Sequence, residues 1–514
     1  VKESTQDGRY QVLGGGVSKG SIESSKSTES KINTNGDLNI LGNEGIKIVN
    51  GNFNSNGDIK LNSKNNISIE AGKNEYSEKS NSNDVGLYIN GNLGIGGVGL
   101  SGSASALDMT ANGKVTPMGE SSKLHMDKLA NSDAGIKIES IRKGREEISW
   151  NESQLQSKNI LIESDGSVDI GGGDYKAKEN IDIRGQNIKS SKFEDKKIES
   201  TDKVSINLKQ AVGINSNLVD TVNTTEKMGS SAETGVANPA VLAIQAIGSV
   251  QNLLLNNMAG AYSKQSLNTT YEKSKTEEIS DNITTLAGKN INLKATEGDI
   301  NLVGIEINSK EKSSLDAKND INITSAKKTS NEDGVKVNLE AQITESTGYS
   351  SLWGGNVSTG VGGNVGLNFT KKKAETYVNS KIDSENTISI KSGRDTKITG
   401  GEIESKKDAN LDIGGDFTVE SKKSTYDEHS INGNAGVNVA IGAATHTIGK
   451  GDVKLTGGGG DIWKTVEKVE QSGVKSKGKL NINVNKDLNL VGGVLGAETG
   501  DNQLNVGKNL NIQD

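Results

Sequence analysis

Lys289-Asn290-Ile291-Asn292-Leu293, Gly298-Asp299-Ile300-Asn301-Leu302 and Asn319-Asp320-Ile321-Asn322-Ile323 are one phrase written three times in close succession. In each, a turn-forming residue leads into a short run where Ile or Leu alternates with Asn, the two-residue period of a half-buried strand. Outward from there the phrase returns at Gly36-Asp37-Leu38-Asn39-Ile40, Gly57-Asp58-Ile59-Lys60-Leu61, Lys486-Asp487-Leu488-Asn489-Leu490 and Lys508-Asn509-Leu510-Asn511-Ile512. The interval is 21 residues from Leu38 to Ile59, from Ile46 to Ile67 and from Ile300 to Ile321, and 22 from Leu488 to Leu510. A second strand follows 8 or 9 residues after the first, as from Leu38 to Ile46 and from Ile291 to Ile300. A repeat of this length with two or three short strands predicts an all-β solenoid, each turn burying its apolar row against its neighbours. Parallel strands about 4.8 Å apart would stack Ile, Leu and Val inward and leave Asn, Lys and Ser in water. The Asn residues are expected to form side-chain ladders at the bends.

Composition agrees with that reading. The chain has 514 residues, too many for one compact core but not for a stack of similar turns. Apolar residues are 31% and aromatics 3%, poor for a globular enzyme, while 64 Gly against 2 Pro suit many tight turns. The net charge of −7, with both signs interspersed, gives no basic footprint for nucleic acid and no polybasic membrane stretch. No Cys is present, which excludes disulfides and thiol catalysis and suits a chain that stays unfolded during export. No signal peptide opens at Val1, and the chain starts in mid-pattern, as a piece of something longer would.

A longer period lies over the short one. Blocks of solenoid turns are expected at 1–75, 158–208, 279–325, 381–421 and 478–514. Between them fall inserts at 76–157, 209–278, 326–380 and 422–477. Three inserts are Gly-rich with strict alternation, as in Val85, Leu87, Ile89, Leu93, in Val361, Val365, Leu367, and in Val437, Val439, Ile441. Asn90-Gly91 is a type I′ hairpin signal. These inserts are expected as β-hairpins protruding from the shaft or as strands laid along one face, with irregular turns as the alternative. The fourth insert is different: no residue from Thr234 to Ser263 is charged. Pro239 can start a helix, and Ile247, Val250, Leu254 and Met258 share one helical face, which predicts one short helix at about 239–259 packed on the solenoid. Its Gln and Asn content speaks against a stable membrane span.

The residues Gly288-Lys289-Asn290-Ile291-Asn292-Leu293, Gly393-Arg394-Asp395-Thr396-Lys397-Ile398 and Gly400-Gly401-Glu402-Ile403 recur in a fixed order. So do Ser/Lys-rich breaks such as Ser421-Lys422-Lys423-Ser424-Thr425, each leading into a Gly-rich segment. In this the chain resembles the hemagglutinin-repeat region of large exported bacterial adhesins, the filamentous hemagglutinins and the exoproteins of contact-dependent growth inhibition. The resemblance implies a right-handed parallel β-helix. It also implies two-partner secretion through an outer-membrane barrel and display as a fibre at the cell surface. A host-cell or bacterial receptor is the further partner it points to. In the growth-inhibition branch, repeats in a similar position are linked to delivery across a target outer membrane.

Candidate chemistry is sparse. His125, His429 and His446 are far apart, each in an insert, and are expected as solvated side chains. No His-Glu-x-x-His and no Cys-based zinc motif occurs. Asp37, Asp58, Asp299 and Asp487 begin strands, where turn chemistry accounts for them. Gly457-Gly458-Gly459-Gly460-Asp461 lacks the nine-residue repetition of calcium β-rolls and is expected as a flexible loop. Trp150, Trp353 and Trp463 lie in or beside inserts, where packing against the shaft competes with glycan or receptor anchoring. No residue is assigned to catalysis, to a cofactor or to a metal. The reading is a structural and adhesive shaft rather than an enzyme. The rivals are a β-helix polysaccharide-degrading enzyme and a segment taking part in toxin translocation.

Overall fold

The structure, a computed structural model, describes residues 11–93, 128–215, 259–350, 354–444, 447–499 and 502–514. Every regular element among them is a strand. The helix expected at about 239–259 falls outside the described residues, except that Ala259 opens a long strand. Three short strands make one turn: Ser30–Thr34, Leu38–Gly42 and Ile46–Val49, then Gly51–Ser55, Ile59–Ser63 and Ile67–Glu70. Each pairs in parallel with its counterpart one turn on, Ile32 with Phe53, Leu38 with Ile59, Ile46 with Ile67. The third strands of successive turns form a ten-stranded parallel sheet. The first and second strands form an eighteen-stranded one, because Thr284–Ala295 and Ile305–Ala317 each run through both positions.

Alternation decides which side chains go inside. Ile59, Leu61, Ile67 and Ile69 face the interior, and the residues between them do not. Ile188, Ile300 and Ile321 stack directly on one another in the ten-stranded sheet and are fully buried. Full burial of each such side chain contributes about 1.5–3 kcal/mol. Phe417 and Tyr175 are the bulkiest fully buried members of the same core, and the Tyr175 hydroxyl donates to the carbonyl of Ile170 at 3.1 Å.

The recurring Asp has a structural cause. Before the third strand, Oδ1 of each Asp or Asn accepts the backbone N–H of its counterpart one turn on. The ladder runs from Asn187 to Asp299 (2.9 Å), Asp320 (3.1 Å), Asp395 (2.9 Å), Asp416 (2.8 Å), Asp487 (2.9 Å) and Asn509 (2.9 Å). Outward amides stack in the same way, Asn322 on Asn301 and Asn511 on Asn489, both at 2.8 Å.

The inserts do not stand as separate hairpins. Their strands join Gln11–Ser25 in a single nine-stranded antiparallel sheet. The order is Gly72–Leu93, Lys128–Asn151, Glu194–Asn215, Ala259–Asp281, Ala326–Ser350, Gly354–Val378, Lys422–Ala444 and Thr447–Glu470. Ser205 pairs with Thr270 in its own hairpin and with Glu139 of the preceding one. Two local expectations give way to this sheet. Asn90-Gly91 is not a turn but lies within the strand, near its outer end, opposite Asp133 and Ser132. Gly457–Gly460 is not a loop but an edge-strand segment opposite Ala435–Asn432. A continuous ladder offered by the neighbouring strand overrides both turn signals. Residues 194–208, read from sequence as solenoid, belong to a long strand.

The spacing of the two parts explains the merger. Hairpins leave the coil after the second, fourth, sixth and eighth turns, at Gly72, Glu194, Ala326 and Lys422. Two turns advance about 9.6 Å, and a hairpin two strands wide occupies the same distance. At the intervening turns the same corner is closed by a residue with positive φ: Asn50, Gly172, Gly304, Gly400 and Gly492. Closed corners pass between hairpin roots. A Cβ on Gly172 would meet Ala71 N at 2.5 Å and Phe193 at 2.8 Å, the residues flanking the first and second hairpins. Where the chain returns from the first and third hairpins, a buried serine ties the hairpin's two ends. Ser153 Oγ donates to the Glu70 carbonyl (2.8 Å) and accepts the Gly51 N–H (2.9 Å). Ser380 does the same with Thr324 (2.6 Å) and Ile305 (3.1 Å).

Candidate interaction surface

The nine-stranded sheet stands off the coil. Its strands pack on one another and make only marginal contact with the coil strands. Directly paired residues share a face, so the register assigns the two sides. One row reads Leu87, Ile136, Leu208, Leu267, Ala341, Gly363, Val437, Leu455. The next row toward the coil on the same side contains Ile138, Ile206, Leu339 and Val365, and the next one outward Ile343, Val361, Val439 and Val453. Most of these side chains are more than a third exposed, Leu455 at 74%. An open groove of about 830 Å³ runs across this side, lined by Leu87, Ile136, Leu208, Leu267, Ile343 and Val361.

The opposite side is polar. Lys137 and Glu139 alternate with Ile136 and Ile138, and Glu139 lies 3.0 Å from Lys137 and 2.7 Å from Lys203. Partial burial pushes the Glu139 carboxyl up, but the Lys203 and Lys137 ammoniums outweigh it and hold it below the usual carboxylate range. Toward the coil the apolar side also becomes charged, with Arg142, Asp202 and Lys273 in one row. The apolar field therefore occupies the outer half of the strands.

The aromatic residues separate into two roles. Trp150 packs edge-on against Phe193 at 5.0 Å and donates its Nε1–H to the Glu194 carbonyl, joining the roots of two hairpins. Trp463 lies on the edge strand, 73% exposed, stacked on His429 at 3.6 Å. His429 is not the freely solvated side chain the sequence suggests. It also lies 3.0 Å from Asp461, and Phe369 meets it edge-on at 5.8 Å. These residues are apart in sequence, and only the strand pairing joins them. His125, His446 and Trp353 lie outside the described residues. Among the described residues, no group of three His, Cys, Asp or Glu is placed to hold a metal, and no helix is long and apolar enough to cross a membrane.

A stacked repeat of short parallel strands with a lateral amphipathic sheet defines an all-β repeat protein. The hemagglutinin-repeat family model matches residues 13–140, 261–430 and 422–514, and the chain belongs to that family. It is similar to the filamentous hemagglutinin of Bordetella pertussis, 22% identical over 421 residues, 76% of this chain and 11% of that one. It is also similar to the adenylyltransferase and cysteine protease IbpA of Histophilus somni, 28% identical over 238 residues, covering 46% of this chain and 6% of that one. A tRNA nuclease CdiA of Escherichia coli is 26% identical over 326 residues, 56% of this chain and 9% of that one. The chain thus spans about a tenth or less of the length of these curated relatives, and their enzymatic names describe regions outside the match. No solved structure matches. Membership places the chain among secreted, cell-surface exoproteins.

Proposed function

We propose that the coil is a right-handed parallel β-helix acting as the shaft of a large surface fibre, exported through an outer-membrane barrel, and that the lateral sheet is its adhesive surface. The observation that carries this is the division of labour between the two parts. The coil presents stacked Asn and Asp with little shape, whereas the sheet displays an exposed apolar side and the Trp463–His429 stack. Exposed aromatic and apolar groups in a defined arrangement are what a receptor can grip. The test compares adherence to epithelial cells and to other bacteria by the intact chain and by a variant with Lys422–Glu470 replaced by a short turn. Weaker adherence with an unchanged coil is the expected result, and equal adherence reduces the chain to a spacer.

A second reading, participation in passage of a toxin across a target outer membrane, is favoured by one observation. Apolar and polar side chains alternate along the outer halves of adjacent antiparallel strands, as in sheets that line a membrane passage. That role requires the two free edges of the sheet to be joined, since open edges do not occur in hydrocarbon. Dye release from vesicles made of outer-membrane lipid separates it from simple adhesion.

A further inference from the structure

The outer half of the long sheet offers a broad apolar side that the described coil leaves uncovered. Leu208, Leu267, Leu339, Ile343, Val361 and Val437 all lie on it and are more than a third exposed. We propose that a second copy of this chain covers it, apolar side on apolar side, with the two coils at opposite ends of the resulting sandwich. The proposal takes the outer apolar field from both readings above and leaves to the adhesive one the Trp463–His429 stack, which lies nearer the coil.

Three features point to a second copy. The first is size. Eight strands at about 4.8 Å and the nine residues from Val204 to Val212 at about 3.4 Å give a field of roughly 1,200 Å². Two such fields bury roughly 2,400 Å², above the roughly 1,600 Å² of a standard stable interface. The second is placement. The field lies in the outer half of the strands, and the rows nearer the coil carry Arg142, Asp202, Lys273 and Lys275. Overlap of the outer halves alone leaves those charges in water and keeps the coils apart. The third is the state of the edges. Among the described residues, Gln11–Ser25 and Thr447–Glu470 each have one neighbour in the sheet, so their outward backbone groups need water. A second copy leaves them wet, whereas sinking this open sheet into lipid strips water from them and from the Lys137–Glu139–Lys203 cluster on the back.

The chain lacks Cys, so a single introduced thiol reports one position. Val361→Cys places it on the apolar side and Asn364→Cys on the back of the same strand. Sedimentation velocity of the full chain should show a dimer. As concentration rises through the dimerisation range, alkylation of Val361→Cys should slow about tenfold, in proportion to the open fraction, while Asn364→Cys keeps its rate. Leu208→Glu with Leu339→Glu should give a monomer with an unchanged β circular dichroism spectrum and fast alkylation at Val361→Cys. A monomer at every concentration, or equal slowing on both sides, overturns the proposal. So does protection of Val361→Cys by phosphatidylcholine vesicles with the protein still monomeric, which would assign the face to lipid.

Discussion

Gly400 tests the alternation of closed corners and hairpin roots at a single atom. It holds φ at +69°, and a Cβ there would lie 2.6 Å from both Cβ and Oγ of Ser325 and 3.1 Å from Cγ of Lys422. Ser325 precedes the third hairpin, and Lys422 begins the fourth. Gly400→Ala therefore combines the left-handed penalty of about 1–2 kcal/mol with overpacking of about 1–3 kcal/mol, about 2–5 kcal/mol together. In a stack the damage should stay near the site. Hydrogen exchange read by mass spectrometry should quicken about 30-fold or more across residues 380–420 and stay unchanged across 30–70. Asn50→Gly is the matched control. It relieves the same strain, at φ 49°, while losing the Asn50 amide's bonds to Ser27, and should change exchange little. If Gly400→Ala exchanges within threefold of the parent across 380–420, the idea that hairpin roots enforce the glycine is wrong.

Ile300→Asp places a carboxylate between Ile188 and Ile321 and should cost on the order of 4 kcal/mol or more, with protease nicking near residue 300 and distant turns intact. Ser380→Ala leaves the buried N–H of Ile305 without its acceptor and should cost about 1–3 kcal/mol by urea denaturation, whereas Ser380→Thr should recover part of it. Glu139 is held below its usual value by its two lysines, so its contribution is present above the ordinary carboxyl pKa and lost as pH falls through the lowered one. Glu139→Gln should therefore destabilise at pH 7, by an amount that shrinks as the pH falls below the ordinary carboxyl range. Glu152 is the reverse case. Burial first, then Asp174 and Asp195, push it up. Its contribution is full below the ordinary pKa and lost as pH rises through the raised one, so Glu152→Gln should be neutral near pH 3 and stabilising at pH 7.

What the sequence revealed and what it hid have a common physical cause. Leu38 pairs with Ile59, and Ile300 with Ile321, across corners that are closed, so the interval of one turn is written directly in the chain. Ile188 pairs with Ile300, Ile321 with Thr396, and Phe417 with Leu488 across hairpins, at separations of 112, 75 and 71 residues that share no period. The Asp that begins each strand was legible as turn chemistry, and the ladder it builds follows once the turns stack. The common sheet was not legible. Alternation in a long strand marks it as a strand without naming its lateral neighbours, because the coil chooses them by bringing hairpin roots about 9.6 Å apart. The His429–Trp463 stack was hidden for the same reason, since it exists only once Lys422–Ala444 and Thr447–Glu470 close on each other.

That coupling changes what the inserts are. Read from sequence, each hairpin is a separable knob that can be trimmed alone. In the sheet, an inner hairpin such as Ala326–Val378 has neighbours on both sides, paired along nearly its whole length. Cutting it back leaves a gap two strands wide between Ala259–Asp281 and Lys422–Ala444. The gap cannot close, because the coil turns that carry the flanking roots hold their spacing. Two long unpaired edges then face each other, a template for aggregation. The hairpin Lys422–Glu470 differs, since its removal only moves the existing edge inward to Gly354–Val378. Loss of adherence on removing an inner hairpin would therefore mix a lost contact with a broken sheet. Loss on removing Lys422–Glu470, with the eight coil turns before Ser421 unchanged, reports the contact alone.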